Sequence, residues 1–318
     1  MTSRVVVTDH TFPDLAAEER LAAEHGASFA SHQCATVEET AEAMDGATVA
    51  LVNFAPVPRE ALARLTPGAT VIRYGIGYDN VDVEAARELG VQVANVPDYG
   101  VPTVADHAAT SILTLARRLP QYDRRVRREG WLRPAELGPL PSFRSMVVGL
   151  VGLGRIAREV HARLAPFGFT VIAHDPFADP ELFDQLGVES VDLLELARRA
   201  HAISLHAPST PQTHHLVDDR FLAHVRPGTV LVNTARGPLI DTEALVAAVR
   251  EGRVAAAALD VTDPEPPPAD SPLWSTPDIL LTPHAAFYDE DSVRALQRLA
   301  REEAGRALRG EPLRCRVA

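Results

Sequence analysis

Short apolar runs rich in β-branched residues alternate with amphipathic segments along the first hundred residues. The runs have the length of strands, and the segments between them repeat with a helical period. This alternation predicts a parallel α/β layer. The predicted strands are Arg4–Thr8, Thr48–Asn53, Thr70–Tyr74 and Val91–Asn95, and the predicted helices are Leu15–His25, Val37–Met44, Arg59–Leu65 and Val83–Leu89.

A longer helical pattern occupies Thr103–Leu119, with its apolar positions close to one face. Pro120 follows it directly and is expected to end the helix. The next segment, Gln121–Phe143, is rich in arginine and has no regular period. It is predicted to be an arm or loop outside the sheets.

The alternation restarts at Met146 and continues almost to the end of the chain. A last helix, predicted at Glu290–Arg309, is expected to return and pack on the first half. The pattern therefore predicts two doubly wound parallel-sheet α/β domains. The predicted elements of the second half are strands Met146–Val151, Thr170–His174, Ala202–His206, Thr229–Asn233, Val254–Asp260 and Ile279–Thr282, and helices starting at Arg155, Asp192 and Asp241.

Length and composition narrow the class of protein. A chain of 318 residues favours two domains, and no apolar run approaches the roughly 20 residues that span a bilayer. The N-terminus lacks the apolar core of a signal peptide, and Cys34 and Cys315 have no metal-like spacing. These features predict a cytoplasmic protein with free thiols.

Charge excludes several partners and chemistries. The formal net charge of −12 argues against nucleic acid and anionic membranes as partners. All 31 basic residues are arginine, which excludes Schiff-base lysines and a P-loop lysine. The basic stretch Arg124–Arg128 is interpreted as a solvated helix or a dimer arm.

A glycine turn follows the predicted strand Met146–Val151 and opens a helix. Gly152 permits the tight turn, Gly154 allows backbone to approach a diphosphate, and Ala157 keeps helix and strand close. The diphosphate would bind N–H groups at Arg155 and Ile156. An ordinary strand–turn–helix connection is the alternative.

An acidic residue ends the next predicted strand. Asp175 follows Gly154 by about 20 residues, the spacing of a ribose-binding acid. Its carboxylate would accept hydrogen bonds from an adenosine ribose and repel a 2′-phosphate. No arginine follows within His174–Ala178. The expected cofactor is therefore NAD.

One arginine, one glutamate and one histidine each follow a later predicted strand. They are Arg236, Glu265 and His284. Because the carboxyl ends of parallel strands meet at one sheet edge, these residues are expected to lie close together. Arg236 would bind a substrate carboxylate, and His284 would exchange a proton with the 2-keto oxygen. Glu265 would orient His284 and favour its protonated form. Each residue alone could be structural, whereas together they predict interconversion of a 2-keto acid and a 2-hydroxy acid.

The adjacent pair His214-His215 raises the question of a metal site. Neighbouring side chains in a regular strand or helix point in different directions. We therefore expect structural or solvent-exposed roles for both, and no metal.

These motifs, in this order, resemble the D-isomer-specific 2-hydroxyacid dehydrogenase family. The resemblance extends from Tyr74–Asp82 to His284–Tyr288, and its details are similar to the branch that contains the C-terminal-binding-protein corepressors. It implies a Rossmann NAD-binding domain over residues 101–287. This domain would be inserted in a discontinuous flavodoxin-like substrate domain formed by residues 1–100 and 288–318. A homodimer is also implied.

The resemblance also implies further site residues. Backbone N–H groups of Ile76 and Gly77 would hold the substrate carboxylate opposite Arg236. The implied cofactor contacts are Val104, Ala207, Pro208, Thr213, Thr234, Ala235 and Asp260, and the implied pocket-wall residues are Phe54, Tyr74, Tyr99 and Phe287. Pro238 departs from the family pattern, in which a second glycine usually follows Arg236-Gly237.

Two groups of family members that catalyse other reactions match this sequence less well. Family members that oxidise formate replace the glutamate with glutamine, and phosphite oxidisers carry a lysine where this chain has Ile76. The expected function is NAD-dependent, reversible reduction of a 2-keto acid to a D-2-hydroxy acid. The alternative is an NAD(H)-sensing scaffold, like the corepressors, with little turnover.

Overall fold

The computed structural model describes residues 3–318. Met1 and Thr2, at which the predicted first domain begins, lie outside the described residues. The described chain divides into two compact units. The first comprises residues up to Gly100 together with Tyr288–Ala318, and the second comprises Val101–Phe287. The assignment of substrate binding to the first unit stays a prediction.

The first unit is built on a five-stranded parallel sheet with the strand order β2-β1-β3-β4-β5. This is the flavodoxin-like order. The sequence did not predict β2, because its residues Ser28–Ser31 form an edge strand with little apolar character. The strands are β1 Arg4–Val7, β2 Ser28–Ser31, β3 Val49–Val52, β4 Thr70–Arg73 and β5 Gln92–Ala94, and the helices between them are α1 Ala16–Glu24, α2 Val37–Met44, α3 Arg59–Leu62 and α4 Val83–Leu89.

The second unit contains a seven-stranded parallel sheet with the order β12-β11-β10-β9-β6-β7-β8. The strand order reverses between β6 and β9, and in open α/β sheets ligands bind at such a switch point. The predicted α/β class with two doubly wound parallel sheets is therefore confirmed. The strands are β6 Val147–Val151, β7 Thr170–His174, β8 Glu189–Ser190, β9 Ala202–Leu205, β10 Thr229–Asn233, β11 Val254–Leu259 and β12 Ile279–Leu281.

Helices cover both faces of this second sheet. One apolar layer includes Ile112 of α5 and Val160 of α7, and the other includes Leu196 of α9 and Leu245 of α11. The helices are α5 Val101–Ala116, α6 Leu119–Glu129, α7 Arg155–Leu164, α8 Pro180–Leu186, α9 Leu193–Arg199, α10 Asp219–Leu222 and α11 Thr242–Arg250.

The expectation that Pro120 is followed by an arm or loop was wrong for Leu119–Glu129, which form α6, whereas the interpretation of Arg124–Arg128 as a solvated helix is confirmed, since α6 has no buried residue. Arg118 adopts a left-handed conformation with φ 53°, which ends α5, and Pro120 then lies in the first turn of α6. Proline is tolerated there, since the first N–H groups of a helix have no partner within the helix. Helix α6 continues through the arginine-rich segment to Glu129.

The last helix, α12 (Glu290–Leu308), belongs to the first unit, as expected. Its residues Leu296, Leu299 and Ala300 are buried in one cluster with Leu51 and Ile72 of that unit's sheet. Helix α12 is 19 residues long but carries charges along its length. Among residues 3–318, no helix is both long enough and apolar enough to cross a membrane.

Candidate active site

Apart from Val104, which lies in α5, the cofactor and catalytic residues predicted in the second unit follow strands of one sheet, at its carboxyl edge. Parallel strands end at the same edge, so six loops distant in sequence are brought together there. The glycine turn follows β6, Asp175 follows β7, Ala207 and Pro208 follow β9, Arg236 follows β10, Asp260 and Glu265 follow β11, and His284 follows β12.

The glycine turn between β6 and α7 is tightly packed at Gly152 and open at Gly154. Gly152 has φ 90°, and a Cβ there would lie 2.9 Å from the backbone oxygen of His206. Gly154 is the N-cap of α7 without a side-chain cap, and a Cβ there would point into open space. The N–H groups at the start of α7, including those of Arg155 and Ile156, are therefore suited to bind an anion.

Asp175 lies beside this turn. Its Oδ2 accepts a hydrogen bond from Leu153 N at 2.8 Å, and its Oδ1 accepts one from Phe177 N at 3.0 Å. These bonds hold the carboxylate at the end of β7 next to the glycine turn. That is the position expected for the acid that binds an adenosine ribose.

Two shielded polar atoms lie at the ends of the neighbouring strands. Within residues 3–318, His206 Nε2 and Thr234 Oγ1 are buried and have no hydrogen-bond partner. Buried polar groups normally have partners, so a ligand that supplies polar atoms fits this edge. Together with the open glycine turn, these atoms fit a dinucleotide.

Thr213, an expected cofactor contact, has an internal role. Its hydroxyl donates to Pro208 O at 2.7 Å and accepts from Thr210 N at 2.8 Å. These bonds shape the loop that carries Ala207 and Pro208. Val104, also expected near the cofactor, is buried in α5 and is 7% exposed.

His284 and Glu265 are in direct contact. His284 Nδ1 lies 2.7 Å from Glu265 Oε1, and the two side chains are 21% and 38% exposed. A carboxylate oxygen only accepts hydrogen bonds, so Nδ1 is the donor in this contact. His284 has φ 51°, and its ring meets that of Phe287 edge to face, with centroids 6.1 Å apart.

Asp260 organises the His284 turn. Its buried carboxylate accepts hydrogen bonds from the backbone N–H groups of Ala285 and Ala286, each at 2.8 Å, and from the Thr282 hydroxyl. Its backbone oxygen accepts from His284 N at 2.8 Å. Sequence reasoning expected a cofactor contact here and missed this positioning role. No local sequence signal was available for it, because the bonded N–H groups lie 25 and 26 residues further along the chain.

The loop that carries Arg236 is fixed by Asn233 and Gly237. Asn233 accepts from Ala235 N at 3.0 Å and donates to Arg236 O at 2.8 Å, while Arg236 Nη1 donates to Ala235 O at 2.7 Å. A Cβ on Gly237 would lie 1.9 Å from Thr262 O. The arginine loop therefore touches the segment that leads to Glu265. Pro238 is accommodated in the first turn of the short 3₁₀ helix Gly237–Leu239.

Gly237→Ala is expected to destabilise the protein by about 2 kcal/mol, because the new Cβ must push two backbone segments apart. Chemical denaturation of the purified variant measures this change. Gly154→Ala is the control: its Cβ meets open space, so only the loss of an N-cap glycine remains, and the free energy of unfolding should change by less than about 1 kcal/mol. Equal stability of the two variants would contradict the close backbone approach.

His206 predicts a pH dependence of stability. Burial lowers the pKa of His206 from its usual 6.5 to about 4. Between these values the unfolded chain binds a proton that the folded chain does not. This contribution to stability is complete above about pH 6.5, and about 3 kcal/mol is lost as the pH falls towards 4.

Denaturation of the cofactor-free protein between pH 4 and pH 7 tests this pH dependence. His206→Leu should show a shallower decline than the parent, whereas His224→Ala, at a partly exposed histidine, should follow the parent. A His206→Leu profile parallel to that of the parent would show that His206 does not cause the decline.

The predicted substrate residues of the first unit occupy loops after β3 and β4. Asp9 accepts hydrogen bonds from Asn53 N at 2.9 Å and Phe54 N at 2.6 Å, which fixes the loop after β3. The Phe54 ring is partly exposed, and its centroid lies 5.6 Å from Arg73 Cζ. The loop after β4 is held by Asn95, which donates to Ile76 O at 2.6 Å.

Tyr74 is not a pocket-wall residue, so that expectation was wrong. It is 1% exposed, packs edge to face on Phe12 and donates its hydroxyl to Glu18 at 3.3 Å. Successive strand residues face opposite sides of a sheet. Tyr74 therefore lies on the same face as Ile72, in the cluster that also contains α12. Tyr99 is partly buried against the same cluster.

Comparison with known proteins identifies the family. The family model described as D-isomer specific 2-hydroxyacid dehydrogenase, NAD binding domain, matches residues 109–286. The chain belongs to this family. The match lies within the second unit, and it agrees with NAD as the cofactor expected from Asp175.

Curated relatives include two enzymes named D-3-phosphoglycerate dehydrogenase. That of Methanocaldococcus jannaschii is 37% identical over 278 residues, which cover 87% of this chain and 52% of the relative. That of Mycobacterium leprae is 43% identical over 228 residues, which cover 72% of this chain and 43% of the relative. The chain therefore spans about half the length of the curated relatives it matches.

Solved structures with the same fold cover nearly the whole chain. The TT0316 protein from Thermus thermophilus is 33% identical with a TM-score of 0.86, covering 99% of this chain and 100% of that protein. A glyoxylate reductase from Paecilomyes thermophila is 27% identical with a TM-score of 0.87, covering 100% and 99%. The likeness to the corepressor branch stays a prediction.

Proposed function

We propose that this protein is an NAD-dependent oxidoreductase that reversibly reduces a 2-keto acid to a D-2-hydroxy acid. The observation that carries the proposal is the 2.7 Å contact between His284 Nδ1 and Glu265 Oε1. Because this contact engages Nδ1, we assign proton exchange to Nε2, at the sheet edge that also carries Arg236 and the glycine turn. The family assignment supports the same class of reaction.

This proposal gives a separate task to each member of the catalytic trio, which consists of Arg236, Glu265 and His284. The Arg236 guanidinium forms paired hydrogen bonds with the substrate carboxylate and polarises the 2-keto oxygen. His284 Nε2 donates a proton to that oxygen in reduction and removes it in oxidation. The ionised Glu265 stabilises the positive charge that the ring carries before donation. When bound, NADH supplies the hydride that reaches C2.

The backbone N–H groups of Ile76 and Gly77 are the proposed second anchor for the substrate carboxylate. Gly75 has φ 148°, and a Cβ there would overlap the Arg73 guanidinium. Arg73 Nη1 also donates to Tyr74 O at 2.7 Å. Arg73 and Gly75 together fix the backbone immediately before Ile76.

Cofactor choice is tested at Asp175. Asp175→Ala removes the negative charge that would repel a 2′-phosphate, so the ratio of kcat/KM for NADH over NADPH should fall by at least about tenfold. Steady-state kinetics with each cofactor measures this ratio. Because Asp175 also binds Leu153 N, Asp175→Asn is the matched variant that retains a hydrogen-bonding side chain. An unchanged ratio in both variants would refute the assignment.

A screen of 2-keto acids tests the proposed reaction. Pyruvate, glyoxylate, hydroxypyruvate, phenylpyruvate and 3-phosphohydroxypyruvate cover small, aromatic and phosphorylated side chains. The last is the keto form of the compound in the names of the curated relatives. NADH oxidation with at least one acid, giving a D product, is expected. Tight NADH binding without turnover would favour the NAD(H)-sensing scaffold.

The expected homodimer and the cytoplasmic location stay predictions. Light scattering of the purified chain, with and without NADH, measures its oligomeric state. A constant dimer is expected for the enzyme, whereas cofactor-dependent assembly would favour the scaffold.

A further inference from the structure

The pair His214-His215 forms a cluster with Asp263. One potential ligand atom from each of the three residues lies within 4.8 Å of the other two. The two imidazole rings are stacked, with centroids 3.9 Å apart and an angle of 25° between their planes. Asp263 comes from the segment after β11, two residues before Glu265.

The expectation that adjacent histidines point apart was wrong at this position. His215 has φ 50°, a left-handed conformation that non-glycine residues seldom adopt. The side-chain directions of regular strands and helices therefore do not apply, and both rings lie on the same side of the backbone.

The backbone around the cluster is fixed from several directions. His214 N donates to Thr210 O at 3.0 Å, and His215 N donates to Pro238 O at 2.8 Å. The residue before Asp263, Thr262, makes the close backbone approach to Gly237. A second carboxylate is also near, since Asp241 Oδ2 lies 4.0 Å from His215 Nδ1.

We propose that His214, His215 and Asp263 form a binding site for a divalent transition-metal ion of the zinc type. Two imidazoles and one carboxylate suit Zn²⁺, Co²⁺ or Ni²⁺, whereas Mg²⁺ and Ca²⁺ prefer all-oxygen ligands. Three protein ligands leave a further coordination position for water. All three side chains reach solvent, so an ion can enter without unfolding.

The site is distinct from the proposed catalytic trio. None of its residues is Arg236, Glu265 or His284, so ion binding does not depend on the proposed reaction. A bound ion would join the loop after β9 to the segment that carries Glu265. It would therefore stabilise the carboxyl edge of the sheet by binding the folded state.

Calorimetric titration of the full, chelator-treated chain with Zn²⁺ tests the site. One ion per chain is expected, and Co²⁺ should give the visible absorption of a low-coordinate imidazole–carboxylate complex. His214→Ala, His215→Gly and Asp263→Asn should each weaken binding by at least about tenfold. Glycine is chosen at 215 because it accepts a positive φ.

The control is His224→Ala, which removes a histidine of the same unit that is not in the cluster and should bind Zn²⁺ like the parent. NADH binding and circular dichroism confirm that each variant is folded. No binding by the parent, or undiminished binding by folded His215→Gly, would overturn the proposal. Loss of binding in Cys315→Ser would also overturn it, because the ion would then be held by a thiolate.

Discussion

His284→Gln is expected to lower kcat for 2-keto acid reduction by about a thousandfold, the range of a lost general acid. Glutamine keeps a polar side chain of similar reach but cannot release a proton to the keto oxygen. The dissociation constant of NADH should change by less than about twofold, since the glycine turn and Asp175 are not touched. Single-turnover kinetics and NADH fluorescence titration measure the two quantities separately.

Two further variants sharpen this experiment. Glu265→Gln removes the charge that faces His284 Nδ1 at 2.7 Å while preserving the shape of the side chain, so a smaller loss of kcat is expected. His224→Ala, at a histidine outside the site, should retain the parent kcat. If His284→Gln instead weakened NADH binding and kcat in the same proportion, the histidine would be structural rather than the acid.

Apolar runs between turn signals explain which strands of the fold could be predicted from the sequence. Strands β7 and β10 have the predicted bounds because they are runs of mostly apolar residues between turn signals. Strands β2 and β8 were missed because Ser28–Ser31 and Glu189–Ser190 lie at sheet edges with exposed residues. An edge strand has a neighbour on one side only and needs fewer apolar residues. Such strands are therefore recognised by their hydrogen bonds to the neighbouring strand and not by their composition.

The candidate site divides in a similar way. Residue type and position after a strand were enough to propose Arg236, Glu265 and His284, because their chemistry is specific. The role of Asp260 depends on hydrogen bonds across 25 and 26 residues of sequence, which no local pattern records. The stacking of His214 on His215 depends on one backbone angle, and residue type does not determine that angle.

Arg236→Ala is expected to lower kcat/KM for the keto acid by about a thousandfold. The loss of two charge-assisted hydrogen bonds to a carboxylate, each contributing about 1.5–3 kcal/mol, accounts for this factor. The kcat/KM of Arg236→Lys should exceed that of Arg236→Ala by less than about tenfold, because an ammonium is a point charge without the planar fork of a guanidinium. Steady-state kinetics with saturating NADH measures both variants.

A loss of activity when the charge of Arg236 is removed does not by itself identify the substrate carboxylate as its partner. A further test is therefore needed. Arg253→Lys, at an arginine paired with Glu251, is the matched control and should retain the parent kcat/KM. The methyl ester of the best keto acid lacks the carboxylate, so Arg236→Ala should lower its reduction by a much smaller factor than that of the acid, through the keto oxygen alone. If Arg236→Ala lowered ester and acid reduction by the same factor, the guanidinium would act only on the keto oxygen or the fold, and the carboxylate assignment would be refuted.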